Sequence, residues 1–155
     1  MPPATYLTTQ DVGEFYTIGV KTVTRWERER LLPASRMILG AHMYPADAIQ
    51  AQWNDLNPGV EHPGCPLLTR GGIAAVRKLP AKLITQLSDV GHLPTVTIPS
   101  GRLRIPETSL ERFRDSLGRW AQHGGCDEVA ARLGVYPGTA YQLVLRFGAQ
   151  ERGQL

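Results

Sequence analysis

Leu7-Thr8-Thr9-Gln10-Asp11-Val12 opens a stretch, residues 7–52, that returns as residues 68–113, where it begins Leu68-Thr69 and has Ile73 in the place of Val12. The offset is 61 throughout, without a gap. Leu7/Leu68, Thr8/Thr69, Lys21/Lys82, Thr24/Thr85, Leu32/Leu93, Pro33/Pro94, Gly40/Gly101 and Pro45/Pro106 are identical, eight of 46 positions. Val12/Ile73, Phe15/Val76, Ile18/Leu79, Val23/Ile84, Met37/Ile98, Tyr44/Ile105 and Ile49/Leu110 stay apolar, as a shared core requires while surface residues drift. A fixed period of this kind marks a duplicated structural unit.

Within the first copy, Thr8 or Thr9 is placed to N-cap a helix whose inner face is Val12, Phe15 and Tyr16. The short break Thr17-Ile18-Gly19 leads into a second helix from Val20 to Arg30, with Val23 and Trp26 inward and Lys21, Thr24, Arg25 and Arg28 outward. Leu31-Leu32-Pro33 ends it, because the residue before a proline is pushed toward extended geometry. Residues 34–39 and 42–44 flank Gly40-Ala41 as a two-stranded hairpin, and Pro45-Ala46-Asp47 opens a third helix through Trp53. The second copy repeats the order. Ile73 and Val76 form the inner face of its first helix, and Leu79-Pro80 makes the turn. The second helix runs from Ala81 to Val90, with Ile84 and Leu87 inside and Lys82, Thr85 and Gln86 outside. Gly91 suits its C-terminus. Thr95–Ile98, the turn Pro99-Ser100-Gly101 and Arg102–Ile105 form the second hairpin, with Arg102 and Arg104 on one side.

The expected fold is mainly α with small β-hairpin wings, divided into a first module at 5–56, a linker at 57–66, a second module at 67–118 and a helical pair at 119–150. The linker holds three prolines and two glycines in ten residues, which limits its flexibility. In the helical pair, Asp127–Val135 with the turn glycine Gly134 precedes Thr139–Phe147, without a hairpin. With outward residues chiefly Tyr141, Gln142 and Arg146, the pair suits DNA contact and a packing or dimer-forming role about equally.

With 42% hydrophobic and 20% charged residues the chain is an ordinary globule. It has no apolar run near the roughly 18 residues of a membrane helix, and Met1-Pro2-Pro3-Ala4 lacks the basic and apolar regions of a signal peptide. A cytoplasmic, nucleoid-associated location is expected. Lys and Arg against Asp and Glu count 5 to 6 over residues 1–57, 8 to 5 over 58–117, and 4 to 3 over 118–155, so the second copy carries the basic excess. No Gly-x-Ser-x-Gly or phosphate-cradling glycine loop occurs, the four histidines fall at hinges and loops, and the acidic residues are scattered. An enzyme is not expected, nor is a cofactor. His62-x-x-Cys65 and His123-x-x-Cys126 form two matching pairs, again 61 apart, whose donors would suffice for a tetrahedral zinc site. Both sit in Pro/Gly-rich junctions, where repeat drift explains them more cheaply, so no metal is expected.

The order helix, turn, helix, Leu-Pro, hairpin, Pro, helix resembles the excisionase and MerR-like family of winged helix-turn-helix domains. In the first copy the resemblance is carried by Leu7-Thr8-Thr9 with Val12, Thr22-Val23-Thr24-Arg25-Trp26, Leu32-Pro33-Ala34 and Tyr44-Pro45. In the second it is carried by Leu68-Thr69 with Ile73, Ile84-Thr85, Leu93-Pro94 and Arg102-Leu103-Arg104-Ile105-Pro106. The family's turn glycine is replaced by Thr17 or Lys78, and its serine N-cap by Gly19 or Pro80. Leu87 stands where the family has an aromatic, and Gln86 where it has arginine.

The resemblance implies double-stranded DNA as partner, and an excisionase-like recombination directionality factor or a transcription regulator of a phage or mobile element, working with an integrase or RNA polymerase. The outward faces of the second helices would enter major grooves, which accept one helix each. An exposed basic residue on a helix is ordinarily just solvated, so it is this placement that makes Lys21, Thr22, Thr24, Arg25, Arg28, Lys82, Thr85 and Gln86 candidates. Arg25 has the fork that pairs with guanine, and Gln86 the amide that pairs with adenine. Arg102 and Arg104 are candidates on the wings, and Arg36, His42 and Arg70 are weaker ones. Two unlike modules on one chain would read an asymmetric site. The competing class is a protein-assembly adaptor, a packaging or partition component using the same fold for protein contacts.

Overall fold

The computed structural model describes residues 5–149, among which there are seven helices and two three-stranded antiparallel sheets. The coarse expectation, mainly helical with small β elements, is met. In chain order come β1 (Tyr6–Thr8), α1 (Thr9–Tyr16), α2 (Val20–Arg28), β2 (Arg36–Ile38), β3 (Ala41–Pro45) and α3 (Ala46–Leu56). The order then repeats as β4 (Leu67–Leu68), α4 (Arg70–Arg77), α5 (Ala81–Asp89), β5 (Val96–Thr97) and β6 (Leu103–Pro106). Finally α6 (Glu107–Leu133) and α7 (Pro137–Arg146) complete the chain. Helix α6 is broken at Gly124 and Gly125, the latter at φ 68° and ψ −159°, a region only glycine visits freely.

Local chemistry explains the helix ends. Thr8 caps α1 in a capping box, its hydroxyl accepting from Asp11 N at 3.0 Å while Asp11 accepts from Thr8 N at 3.0 Å. Thr69 caps α4 by accepting from Gly72 N at 2.9 Å. Thr17 and Lys78 adopt left-handed geometry at φ 57°, so both copies make the turn that a glycine would make more cheaply. Each such residue costs about 1–2 kcal/mol. The sheets run β1-β3-β2 and β4-β6-β5, so each hairpin carries a third strand not anticipated in the sequence. Tyr6–Thr8 pairs with Met43–Pro45.

Compactness divides the chain differently from the repeat. Among the described residues, one unit is 5–67 together with Val96–Arg104, and the other is Leu68–Thr95 together with 105–149. In the first unit Val12, Tyr16, Val23, Trp26, Tyr44, Ile49 and Trp53 share a buried cluster with Leu67, Val96 and Ile98. The tip of the second copy's hairpin thus completes the first copy's core. Asn57, itself buried, fastens it, accepting from Thr97 N at 2.7 Å and donating to Thr97 O at 3.0 Å. The Pro/Gly-rich junction is also laid on this unit: Trp53 Nε1 donates to Val60 O at 2.8 Å, and the His62 ring stacks on Phe15 with centroids 4.0 Å apart.

In the second unit Ile73, Ala74, Ile84, Leu87, Leu93, Ile105, Leu110 and Phe113 form one core with Val129, Leu133, Leu143, Val144 and Phe147. The C-terminal helical pair therefore packs into the second copy's core.

Most paired apolar positions are buried in both copies, among them Val12/Ile73, Val23/Ile84, Tyr44/Ile105 and Ile49/Leu110. Two expectations fail. Val76 does not belong to the inner face of α4: it is 79% exposed and Ala74 faces inward, because α4 turns Ile73 and Ala74, adjacent in sequence, toward its core. Met37 is 60% exposed where Ile98 is fully buried, because the first hairpin reaches its core through Tyr44 on β3 and leaves the β2 limb outside, whereas β5 and its turn lie on that core.

A polar cluster ties α2 to the first hairpin. The Glu27 carboxylate accepts from Ser35 Oγ and from Tyr44 OH (2.6 Å) and faces His42 Nδ1 at 3.3 Å. Burial alone raises this carboxyl, but the hydrogen bonds from Ser35 and Tyr44 and the charge of His42 outweigh it and hold Glu27 below its ordinary value. Tyr44 is pushed upward by burial and by the same carboxylate. A lowered carboxyl contributes stability that is complete above the ordinary glutamate range, about 4.3, and lost as pH falls through the folded-state value. Glu27→Gln is therefore expected to lower stability at neutral pH and to flatten the acid limb of a urea-melt series taken down to about pH 3. An acid limb as steep as that of the parent protein would remove Glu27 from this role.

Candidate nucleic-acid interface

Helix α2 presents its candidates because only one residue per turn is committed to the core. Val23 is fully buried and Trp26 nearly so, which turns Lys21, Thr24, Arg25 and Arg28 outward; all four are exposed and Thr22 is half-buried. The Thr24 hydroxyl is occupied, donating to Val20 O at 3.1 Å. Arg25 reaches Glu29 at 3.9 Å, an exposed pair one turn apart that is worth little and leaves the guanidinium available. The helix begins at Gly19 with no side chain capping it.

The second copy's hairpin meets this helix within the first unit. Its turn closes through Gly101 N to Ile98 O (2.8 Å) and Ile98 N to Arg102 O (3.0 Å), with Val96 opposite Arg104 and Thr97 opposite Leu103. Val96 and Ile98 face the core, and Arg102 and Arg104 lie on the returning limb. Thr22, Arg25 and Trp26 of α2, with Glu29 at its C-terminal cap, then line one open cleft with Ser100, Arg102 and Arg104, a space of about 640 Å³. Three guanidinium groups thus border a cleft with one carboxylate. Arg104 is lowered from the usual arginine value, first by its partial burial and second by the neighbouring charge of Arg102. Crowding of like charges in a partly dry place is the condition under which an entering anion gains most.

The remaining candidates are distributed elsewhere. Arg36 is exposed on β2, its guanidinium 3.4 Å from Tyr6 OH. His42 is held by Ser35 and Glu27. In the second unit Lys82 and Gln86 are exposed one turn apart on α5, with Thr85 half-buried beside them. Arg70 lies 4.0 Å from Asp89. On α7, Tyr141, Gln142 and Arg146 are exposed.

Ser100 was not singled out in the sequence, nor was the gathering of Arg102 and Arg104 with Arg25. The only signal for the former was its place in a hairpin turn, and for the latter the basic excess of residues 58–117.

The zinc set does not assemble. No three His, Cys, Asp or Glu residues cluster as metal ligands among the described residues. His62 uses both ring nitrogens within the protein, Nε2 on Phe15 O at 2.7 Å and Nδ1 on Gly64 N at 3.0 Å, which suits a neutral ring donating from Nε2. No helix among the described residues is long and apolar enough to cross a membrane. Comparison with known protein families, with curated proteins and with solved structures finds no match to this chain.

Proposed function

We propose that this chain is a sequence-reading, double-stranded DNA-binding protein with two tandem winged helix-turn-helix modules. It acts by binding and not by catalysis. The observation that carries the reading is the cleft beside α2, where Arg25 and Thr22 meet Arg102 and Arg104. A recognition helix is useful only if its outer face is exposed and flanked by groups able to hold phosphates; the exposed face of α2 with Arg102 and Arg104 beside it supports the reading.

In this reading α2 enters a major groove, with Arg25 forming a bidentate pair to guanine O6 and N7 and Lys21 and Arg28 on phosphates. The uncapped start of α2 offers backbone N–H groups to a further phosphate. Arg102 and Arg104 follow the backbone strand beside the same groove. On α5, Lys82 and Gln86 form the second reading face, Gln86 suited to adenine. Two unlike faces favour an asymmetric site, as in a recombination directionality factor or a transcription regulator of a mobile element, with an integrase or RNA polymerase as further partner.

Duplex fragments selected by the protein from a random pool test the reading. They are expected to share a long asymmetric motif, and their affinity is expected to fall by orders of magnitude between low and moderate salt, as counterion release requires. Absence of duplex binding, or binding indifferent to salt, would defeat the proposal. A second reading, a protein-assembly adaptor, draws on Tyr136, Tyr141 and Leu145, which expose apolar surface along α7. It predicts concentration-dependent assembly without DNA.

A further inference from the structure

The first hairpin ends in an unusual residue. Ile38 pairs with Ala41, so Leu39 and Gly40 alone make the turn, at φ 52° and φ 81°. Such a two-residue turn with both angles positive is ordinarily built from Asn, Asp or Gly. Leu39 instead holds a strained backbone and leaves its whole side chain in water, at 103% relative exposure. Neither cost is offset by any contact in the fold. The repeat supplies an internal comparison, since the equivalent turn position in the second copy is Ser100. An apolar tip is thus no requirement of the hairpin.

The surroundings favour a polyanion. Residues 34–43 contain no Asp or Glu, and while His42 faces the Glu27 carboxylate at 3.3 Å, Arg36 is exposed with its guanidinium 3.4 Å from Tyr6 OH. Leu39 is followed by the two smallest residues, Gly40 and Ala41, and a Cβ built on Gly40 would meet nothing within 4 Å. The tip is therefore narrow, with one bulky group at its end. From Arg36 to Leu39 the arm is about 10 Å long at 3.3 Å per residue. That exceeds the roughly 7.5 Å depth of a minor groove, whose width of about 6 Å admits a two-stranded ribbon only if the groove opens. Apolar side chains inserted between base pairs open it in this way, unstacking one step and bending the duplex toward the major groove.

We propose that Leu39 is such a wedge: as α2 engages the major groove, the first wing enters the adjacent minor groove and the Leu39 side chain inserts between two base pairs. This rests on the DNA-binding reading above and adds to it a bend with a defined cause. Met37, exposed on the same hairpin, would lie against the sugars of the opened groove.

The test uses the full chain and a duplex of about 30 bp, the length over which such bends are measured, taken from the selected pool. It carries 2-aminopurine at successive minor-groove steps and a dye at each end. The parent protein is expected to raise 2-aminopurine fluorescence at one step and to shorten the end-to-end distance. Leu39→Asn suits the turn better and should melt no lower than the parent, yet it should abolish the fluorescence rise and most of the bend, with affinity reduced several-fold. Leu39→Met should keep both signals. An Asn variant that bends and unstacks the duplex like the parent overturns the wedge. So does loss of self-association in that variant with bending unchanged, which would assign Leu39 to a protein contact. If the parent binds no duplex at all, the DNA-binding proposal falls with it, whereas binding without unstacking removes the wedge alone.

Discussion

Replacing Arg25 and Arg102 by alanine and Arg104 by glutamine in one protein will lower duplex affinity roughly 500-fold at 0.1 M salt, if each guanidinium displaces one counterion. The figure follows from a slope of about −0.9 in log K against log salt per neutralised phosphate, so three lost contacts flatten the slope by about 2.7. Arg25 and Arg102 are exposed and their loss creates no cavity; glutamine at 104 retains most of the half-buried stem. The melting temperature should accordingly stay within a few degrees of the parent. Anisotropy titrations of a labelled duplex across a salt series give both quantities. A slope unchanged from the parent would show that the cleft does not hold phosphates, even if affinity fell for another reason. Should Arg25 read a guanine, its single replacement will also relax selectivity at one base pair by about 1–3 kcal/mol.

Ile98→Ala will destabilise the first unit by about 2–5 kcal/mol, the usual cost of emptying a buried isoleucine site. The consequence is non-local, since Ile98 belongs to the second repeat while its core neighbours include Trp26 and Trp53 of the first. Tryptophan placement makes this measurable: Trp26 and Trp53 report on one unit, and Trp120 packs against the core of the other. Single-tryptophan variants retaining Trp53 should unfold some 10 °C or more earlier with Ile98→Ala, at about 4–8 °C per kcal/mol for a unit of this size. Those retaining Trp120 should shift less. The equivalent change in the first repeat, Met37→Ala, should alter stability by no more than about 0.5 kcal/mol, because that side chain is exposed. Equal shifts from the two substitutions would refute the assignment of the second hairpin to the first core.

These cases show which parts of the fold the sequence makes legible. Val23 and Trp26 against Ile84 and Leu87 could be read directly, because a helix interleaves its buried and exposed residues at a period set by its own backbone. A threonine cap on α1 was legible for a similar reason, since its bond closes over three residues; the sequence left Thr8 and Thr9 open and the structure selects Thr8. Val76 and Met37 misled, because an apolar side chain records a preference for leaving water and says nothing about whether a partner is present. The strand Tyr6–Thr8 was unreadable as a strand: three residues show no alternation, and their partners lie more than thirty positions away.

For the candidate interface the division is sharper. The outward placement of Lys21, Thr24, Arg25, Arg28, Lys82, Thr85 and Gln86 followed from helix geometry, and their candidacy, with that of Thr22, from the resemblance; each occupies an exposed or half-buried position on α2 or α5. The cleft did not follow. Nothing within residues 95–104 states which core their apolar face will cover, and a hairpin of this size gains its stability almost wholly from what it lies upon.

By itself, then, the sequence determined the duplicated order of helices and hairpins and the outward cations, because those depend on interactions a few residues long; helix ends such as Leu56 of α3, expected at Trp53, it did not. Only the tertiary structure decided that Val96 and Ile98 complete the first core and bring Arg102 and Arg104 beside Arg25. The reason is that burial is non-directional: it rewards any apolar face for any complementary surface, and the choice among surfaces is made by the packing of the whole unit.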